Sequence, residues 1–391
     1  MLSGIKSIME INNKKRILVL NYEFPPLGGG GGIAAKKLAV GFIKLGYEVD
    51  YVTTRFSGLK ELEVVDGINV HRIKVLGRKE LPTASMLSLI SFPFLAYKKS
   101  SELCKKYKYN FINTHFTVPT GPLGVWISQK FKIKNILSIH GGDIYDPSKN
   151  NSPHRKWYFR KVVNWVLNNS DFIVAQSSNT KDNTKKYYKC HKEIDIIPLP
   201  YEVVNFKKIS RKELGLKDDK KYLIGAGRLV KRKGFEYLIK SLKLLNENVE
   251  CLIIGDGPEK ENLQQLAVDL GLKQRVNLLG YLSEEEKKFQ YLAAADIFVL
   301  SSLHEGFGIV LQEAMQVGLP IIATNIGGQV DFIKDGENGF LVNVKDEESI
   351  ADSVKKILSS NALINEFSKN NLKKVNEFNL INVSNKYLKL K

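Results

Sequence analysis

The sequence predicts an α/β protein with two doubly wound parallel-sheet domains, and three observations support this prediction. Short β-branched runs alternate with amphipathic stretches, and the series starts again shortly after residue 200. The chain has 391 residues, enough for two domains at about 100 to 200 residues each. Apolar residues make up 43% and charged residues 26%, which is typical of a globular protein. We therefore assign residues 1–200 to an N-terminal domain and residues 201–391 to a C-terminal domain.

The first domain is predicted from five apolar runs that each fit a buried parallel strand. These runs lie at residues 16–22, 48–54, 110–115, 135–140 and 171–176. Segments with helical periodicity, such as residues 33–45 and 157–168, are long enough to connect parallel strands as crossover helices.

The second domain follows a turn or linker that Pro198 and Pro200 bracket. Its strands are expected at residues 221–227, 250–257, 275–280, 296–302, 319–325 and 339–344. Helices are expected at residues 235–245, 259–270, 309–317 and 349–358, and the tail at 366–391 reads as one or two more. This helical tail is a candidate to pack back on the first domain. Open parallel sheets bind ligands at the carboxyl ends of their strands, so we expect a site in a cleft between the domains.

The charge of the chain is concentrated in its first half. Residues 1–200 hold 31 basic and 15 acidic residues, while residues 201–391 hold 28 and 26. Such a basic half suits an anionic partner, namely acidic lipid headgroups, a phosphorylated substrate or nucleic acid. A lysine-rich surface that is simply solvated explains the charge equally well.

Several classes of protein are disfavoured by composition and spacing. The longest nearly uncharged stretch, residues 81–97, contains two prolines and is too short and too polar for a transmembrane helix. The first 16 residues lack the apolar core of a secretory signal, so a cytoplasmic protein is expected. Three widely spaced cysteines indicate neither a disulfide framework nor a metal site. The pair Glu193 and Asp195 resembles a metal-binding D-x-D but is expected to lie in a strand near the linker and to be incidental, so no bound metal is predicted.

Two glycine-containing loops are predicted to approach phosphate or sugar groups. Five consecutive glycines, among them Gly28 and Gly29, follow the first strand and precede a helix. Backbone amides at such a helix start can bind an anion, although a loop without a ligand is the alternative. In the HGGD segment, His140 ends a strand, and Gly141 and Gly142 leave room for a ligand. Asp143 is expected either to orient this loop or to touch an acceptor.

A third segment, GAGRLVKRKG, places four cations between a strand end and a helix start. Clustered cations at a helix N-terminus oppose the helix dipole, so a bound anion such as a pyrophosphate is the natural compensation. Arg228, which follows Gly227, can clamp oxygen atoms with its planar guanidinium, and Lys233 can add a point charge. Lys231 and Arg232 are expected to be solvated surface side chains.

The segment that begins at Glu305 is the most specific in the chain. Seven residues separate Glu305 from Glu313, and the segment passes from a strand through glycines into a helix. A carboxylate suits sugar hydroxyls, so Glu305 is assigned to a donor sugar and Glu313 to a ribose diol. The backbone that follows Glu305 is assigned to phosphate oxygens at the helix start, and these residues are Gly306, Phe307, Gly308, Ile309 and Val310.

Together these segments, with IIGDGP, resemble the glycosyltransferases of family 4. The resemblance covers nearly the whole chain and implies the GT-B fold, in which two Rossmann-like domains face each other across a cleft. It further implies metal-independent transfer of a sugar from a nucleotide diphosphate sugar, with retention of configuration. By position, Arg228 and Lys233 would hold the diphosphate, Glu305 the sugar and Glu313 the ribose. His140 would contact the transferred sugar near the reacting carbon.

The donor and the acceptor are left open by the sequence. The base would be read by backbone near Gly280 and Tyr281, and a UDP-sugar is favoured over a GDP-sugar because the family uses it more often. The acceptor is expected to be a glycan or a lipid-linked precursor of cell-surface polysaccharide. No other cofactor is expected.

Two other functions remain as alternatives. A sugar-nucleotide epimerase or a glycan phosphorylase would share the fold, although no segment marks the lysine that holds pyridoxal phosphate in a phosphorylase. A basic nucleic-acid-binding protein belongs to a different class, and no zinc-finger or RNA-recognition signature supports it.

An apolar stretch that runs into five lysines, within residues 83–109, suggests peripheral contact with an anionic membrane. The alternative is a core helix with a solvated lysine end, which is slightly favoured because Pro93 is expected to break the helix.

Overall fold

The computed structural model describes residues 15–78, 84–147 and 151–390. The chain divides into two compact units. The first unit runs up to Glu202 and resumes at Phe378, and the second comprises the residues from Val203 to Glu377. The N-terminal segment before residue 15 and the beginning of the uncharged stretch at residues 81–83 lie outside the described residues.

The first unit is built on an eight-stranded sheet with the spatial order β3-β4-β2-β1-β5-β6-β7-β8. All neighbouring strands are parallel except β3 and β4, which are antiparallel. The strands are β1 (Arg16–Leu20), β2 (Glu48–Arg55), β3 (Leu62–Val65), β4 (Ile68–Lys74), β5 (Phe111–His115), β6 (Asn135–Ile139), β7 (Phe172–Ala175) and β8 (Ile194–Ile196).

Helices cover both faces of this sheet. They are α1 (Gly30–Lys44), α2 (Met86–Lys106), α3 (Gly121–Phe131), α4 (Trp157–Asn169) and α5 (Ser178–Tyr187), with α12 (Leu380–Leu388) from the end of the chain. Because side chains alternate along a strand, Ile17 of β1 faces the core with α1 and α12. Its neighbour Leu18 faces the core with α2 and α3. The tail is tied to this unit by the hydrogen bond between the Tyr387 and Ser138 hydroxyls, at 3.0 Å.

The second unit has a fully parallel six-stranded sheet with the order β11-β10-β9-β12-β13-β14. Its strands are β9 (Lys221–Ala226), β10 (Val249–Ile254), β11 (Val276–Gly280), β12 (Ile297–Leu300), β13 (Ile321–Thr324) and β14 (Gly339–Val342). Its helices are α6 (Phe235–Ser241), α7 (Lys260–Asp269), α8 (Glu285–Ala294), α9 (Ile309–Gln316), α10 (Glu347–Leu358) and α11 (Asn361–Val375).

The strands expected from the sequence are all present, including β8 at the strand expected around Glu193 and Asp195, and two further strands, β3 and β4, were missed. β3 was missed because its Leu62 and Val64 side chains are 60% and 68% exposed, so it lacks the continuous apolar run of a buried strand. The Asp66-Gly67 turn that joins β3 to β4 has positive φ at both residues. This Asp-Gly pair is a hairpin signal that the sequence carried. β8 has only three residues.

One expectation about helices was wrong, and two helices differ in their bounds from those expected. Pro93 does not break its helix, since α2 continues through it from Met86 to Lys106. Helix α1 begins at Gly30, so three of the five consecutive glycines lie inside its first turn. The helix expected at residues 235–245 ends as an α-helix at Ser241 and continues only as a 3₁₀ turn. None of the described helices is long and apolar enough to cross a membrane.

Close backbone contacts between loops shape the carboxyl end of the second sheet. A Cβ atom at Gly255 would lie 1.9 Å from the carbonyl oxygen of Gly227, and one at Gly257 would lie 2.3 Å from that of Leu229. The two loops are joined there by the hydrogen bond from Leu229 N to Asp256 O at 2.9 Å. Glycine is therefore required in the IIGDGP segment because the loop after β9 packs directly on it.

We predict that Gly255→Ala destabilises the second unit by about 2 to 4 kcal/mol. The new methyl group would overlap a backbone oxygen, and its residue would be held at positive φ. Gly271→Ala is the matched control, because Gly271 also has positive φ but has no atom within 4 Å of its Cβ position. It should cost about 1 kcal/mol. Urea unfolding followed by far-UV circular dichroism measures both, and equal costs would contradict the packing argument.

Candidate active site

Each sheet reverses its strand order at one point, and several predicted site residues follow the strands on either side of it. In the first sheet the reversal lies between β1 and β5, and in the second it lies between β9 and β12. At such a point the loops leaving two neighbouring strands diverge and open a crevice at the carboxyl ends. Each unit therefore carries a half-site.

The centre of the second half-site is an ion pair between Lys233 and Glu305. The Lys233 ammonium donates to Glu305 Oε2, and the two side chains are only 9% and 12% exposed. Gly227 lies beside this lysine, since a Cβ atom at Gly227 would be in ordinary van der Waals contact with Lys233 Cε at 3.4 Å. The loop after β9 and the loop after β12 are thus joined through charged groups at the reversal point.

Arg232 and Arg228 differ from each other in their surroundings. Arg232 was expected to be solvated, but its guanidinium lies 3.8 Å from Glu305 Oε2 and donates to the His304 carbonyl oxygen at 3.3 Å. Burial raises the pKa of Glu305, but the charges of Lys233 and Arg232 outweigh it and hold that pKa below its usual value. Arg228 is exposed, and its guanidinium has no partner among the described residues.

Glu313 is held in place by a residue that the sequence did not single out. Its Oε1 atom accepts from the Lys288 ammonium at 2.6 Å, and its side chain is 12% exposed. Glu313 lies on α9 one turn after the helix start, as the spacing predicted, and Lys288 lies on α8. A charged carboxylate is thereby fixed near the reversal point of the sheet.

The loop from Glu305 to Gly308 packs on two glycines, Gly327 and Gly328, that follow β13. A Cβ atom at Gly327 would lie 2.2 Å from Glu305 O, and one at Gly328 would lie 2.3 Å from Gly306 O. The Gly328 amide also donates to Glu305 O at 2.9 Å. The Phe307 ring is buried against Phe332, with a centroid separation of 4.4 Å, so its side chain packs in the interior.

The start of α9 offers backbone donors. Gly308 is its N-cap residue, has φ near 91° and provides no side chain to cap the helix. The amides of Ile309 and Val310 lie in the first turn, where an α-helix leaves its amides without intrahelical partners. At the edge of the sheet, Gly280 O accepts from Gly255 N at 2.8 Å, and the Tyr281 side chain is 76% exposed.

In the first unit, the glycine loop wraps around the side chain of Glu23. Gly28 has φ near 92°, and a Cβ atom there would lie 2.4 Å from the Glu23 carboxyl carbon. The Gly29 amide donates to Glu23 Oε2 at 3.1 Å. Gly31 packs on the Phe116 ring, which would lie 2.4 Å from its Cβ atom. The carboxylate therefore occupies the start of α1, where the sequence analysis expected a phosphate or a sugar.

His140 is paired with a second buried histidine. His140 Nε2 lies 2.9 Å from His115 Nδ1, and the Phe116 ring centroid lies 4.5 Å from that of His140. His140 Nδ1 is buried and has no partner among the described residues. Burial lowers the pKa of His140 to about 4, and burial together with His140 lowers the pKa of His115 as well. Both imidazoles are therefore neutral at pH 7.

Asp143 orients the loop, which was one of the two roles considered for it. Its Oδ1 atom accepts from His140 N at 2.9 Å, and its Oδ2 atom accepts from Thr117 N at 2.6 Å. The carboxylate is buried and joins the loops that follow β5 and β6. Gly141 takes φ near 80°, while Gly142 is exposed, with no described atom within 4 Å of its Cβ position.

Several residues of these half-sites were not found from the sequence. His115 is the last residue of β5 and Phe116 follows it. Phe116 has φ near 71°, which is uncommon for an aromatic residue and marks a strained position of the kind found at functional sites. The NTH run gave no separate signal, because His115 also fits a buried strand. Lys288 looked like one of many solvated lysines. Within the part of the chain that is described, no group of three or more His, Cys, Asp or Glu side chains could hold a metal ion.

Comparison with known proteins gives concordant matches for the two halves. The family described as "Glycosyltransferase Family 4" matches residues 28–203, and the family described as "Glycosyl transferases group 1" matches residues 206–374. An uncharacterised glycosyltransferase of Methanocaldococcus jannaschii is 30% identical over 376 residues, covering 92% of this chain and 93% of that protein. The N-acetyl-alpha-D-glucosaminyl L-malate synthase of Bacillus anthracis is 27% identical, with 86% and 87% covered.

A solved structure gives the fold independently. The Anabaena protein HepE, in complex with UDP and glucose, superimposes with a TM-score of 0.75 at 20% identity, covering 96% of this chain and 98% of that one. At this identity the likeness establishes the GT-B fold. With both halves matched and a relative at 30% identity along almost the full length, the chain belongs to the group 1 glycosyltransferases of family 4.

Proposed function

We propose that this glycosyltransferase transfers a sugar from a nucleotide diphosphate sugar, with retention of configuration and without a metal ion. The observation that supports this proposal is the Lys233–Glu305 pair at the strand reversal of the second sheet, with Arg228 exposed beside it. Retention follows from the resemblance to family 4. The epimerase and nucleic-acid-binding alternatives find no support in the family assignment.

The cations of the second half-site suit the charge that develops on a leaving diphosphate. An ammonium group has three donors, and Lys233 gives one to Glu305, so two remain for phosphate oxygens. Glu305 fixes the lysine before substrate binds, and preorganised charges of this kind stabilise a transition state without reorganisation at the moment of reaction. The unpaired Arg228 guanidinium and the first amides of α9 add further donors.

The carboxylate of Glu313 suits the ribose of the donor. Oε1 is occupied by Lys288, which leaves Oε2 to accept from ribose hydroxyls. UDP is the proposed nucleotide, and the UDP-bound neighbour of the same fold supports that choice. The base would lie near Gly280 and Tyr281.

We predict that UDP raises the melting temperature of the protein more than GDP, and that Arg228→Ala weakens UDP binding about 10- to 100-fold. One charge-assisted contact to the diphosphate would be lost. Turnover of a UDP-sugar should fall about 100-fold or more in the same variant, and EDTA should not affect the wild type. Lys243→Ala, an exposed lysine of the same unit, is the control. Unchanged turnover of Arg228→Ala, or loss of wild-type turnover in EDTA, would contradict the proposal.

In the first half-site, His140 is proposed to contact the transferred sugar as a neutral imidazole. Its Nδ1 atom has no partner among the described residues, and the exposed Gly142 follows it in the loop. Since an unfolded histidine binds a proton near pH 6.5 and folded His140 only near pH 4, the unfolded state binds more protons between these values. Stability must therefore fall as the pH is lowered through this window.

We predict that His140→Gln reduces the loss of stability at acid pH by up to about 1.4 kcal/mol per pH unit between pH 6.5 and 4. Urea unfolding followed by tryptophan fluorescence reports on the first unit, because all three tryptophans, Trp126, Trp157 and Trp165, lie in it. The exposed His191 provides a control as His191→Gln. The same pH slope in both variants would show that His140 is not held neutral.

We further propose that the enzyme acts on a glycan or lipid-linked acceptor of the cell surface, as a peripheral protein on the inner face of the membrane. The support is the basic first half of the chain and the exposed lysines at the end of α2, namely Lys98, Lys105 and Lys106. Each lysine near an anionic surface contributes about 1 kcal/mol.

We predict that the protein co-sediments with phosphatidylglycerol vesicles at low salt and is released at high salt. Replacing Lys98, Lys105 and Lys106 by Gln should weaken binding by at least tenfold, because three attractive charges are removed. Replacing the exposed Lys287 and Lys356 of the second unit is the control and should have little effect. Equal binding to neutral and anionic vesicles, or no binding to either, would favour a soluble acceptor.

A further inference from the structure

The first unit has a large apolar groove beside the loop that carries His140. The groove has a volume of about 870 Å³ and is lined by helices α2, α3 and α4. Its apolar walls include Ile90, Pro93, Phe94, Trp126, Val162 and Trp165. A volume of this order is typical of sites for small organic ligands.

The walls of this groove expose several large apolar side chains to solvent. Ile90 is 55% exposed, Phe94 64%, Val162 37% and Trp165 38%. Ile90 and Phe94 are four residues apart on α2, so they lie on one face of that helix. Contiguous exposed apolar patches of this kind mark binding surfaces.

The segment that forms one wall of this groove is basic. Residues 151–170, which include α4, contain four basic residues and no acidic one. On the other side, the apolar surface continues over Phe94 and Trp126 to Lys130. An apolar groove with cationic flanks is complementary to a molecule that joins a hydrocarbon chain to an anionic group.

One end of the groove reaches the proposed catalytic end of the unit. Gly142 and Asp143 of the HGGD loop belong to its lining, and so do Val118 and Pro119 of the loop after β5. Asp143 also binds the amide of His140. A molecule lying in the groove would therefore bring its polar end to the loop that holds His140.

We propose that this groove binds the hydrocarbon chain of the acceptor, and that the acceptor is a saccharide joined to a long apolar chain through a phosphate group. This inference rests on the proposed function, since it assigns the acceptor class of that site. The chain lies along α2 and α4, the phosphate meets the basic flank, and the sugar hydroxyl reaches the loop of His140.

Binding is tested with soluble probes and the full chain. Two of the three tryptophans line the groove, so bromine atoms on a bound chain should quench fluorescence. The probes are 10,11-dibromoundecyl phosphate and undecyl phosphate, kept below their micelle concentrations. We expect saturable quenching by the brominated probe alone. In a series of heptyl, nonyl and undecyl phosphates, affinity should rise by up to about fourfold per buried methylene group.

The double variant Ile90→Gln/Val162→Gln should weaken probe binding at least tenfold, because both side chains are partly exposed and can be replaced without opening the core. Val64→Gln is the control, since Val64 is 68% exposed on β3 and does not line the groove. Equal affinity for all chain lengths, or equal weakening in both variants, would overturn the proposal. If the double variant loses binding to vesicles but still binds the probes, the surface contacts the bilayer and does not hold a single hydrocarbon chain. That result would also overturn the proposal.

Thermal shift with UDP separates this inference from the proposed function. If UDP raises the melting temperature of the wild type but the brominated probe causes no quenching, the proposed donor site is supported and the assignment of the groove is wrong. Quenching without a response to UDP supports the groove as a chain-binding site and refutes UDP as the nucleotide of the proposed donor.

Discussion

The architecture of the second half-site depends on backbone packing between loops that leave no room for a Cβ atom. Gly255 lies on Gly227, and Gly327 lies on Glu305, with separations that any other residue would have to widen. These contacts seat the loop after β9 on the loop after β10, and the loop after β12 on the loop after β13. The loops after β9 and β12 themselves meet at Gly234, where a Cβ atom would lie 2.2 Å from Ser301 O. The Lys233–Glu305 pair joins these two loops, with both side chains almost fully enclosed. The charges are placed by glycines that take no part in chemistry.

Burial and the neighbouring charges act in opposite directions on the carboxylate of this ion pair. A buried carboxylate would ordinarily protonate more readily, yet two cations keep Glu305 ionised. Removing one partner of such a pair destabilises the protein strongly, because the other charge is left buried and unpaired. The intact pair nevertheless contributes little to the net stability, since both groups lose their hydration on burial. The pair fixes the position of the lysine, so that Lys233 would need no reordering to bind an anion. Arg228 is exposed and would have to be ordered by a ligand.

Much of this organisation could be predicted from the sequence, and the part that could not has a physical cause. Strands buried on both faces are read from continuous apolar runs, and Glu305 and Glu313 are read from their spacing around a glycine turn. β3 was missed because an edge strand is half exposed. The expectation at Pro93 was wrong because the side of α2 that carries Phe92 and Ala96 is buried in the core, and this packing outweighs the hydrogen bond that proline cannot donate. Partners such as Lys288 and His115 escaped because long-range contacts between common residue types have no local pattern.

In the first unit, too, buried polar side chains fix the loops of the half-site, but the histidines there are uncharged. Its loop is ordered by Asp143, which ties the ends of β5 and β6 together, and its neighbouring histidine pair is kept neutral by burial rather than by charge. The two histidines are uncharged, although the first unit as a whole is the more basic one. Around Glu305 the groups are charged, although the second unit is nearly neutral. The charge at each half-site is therefore set by local burial and by the partners of each group, and not by the net charge of its unit.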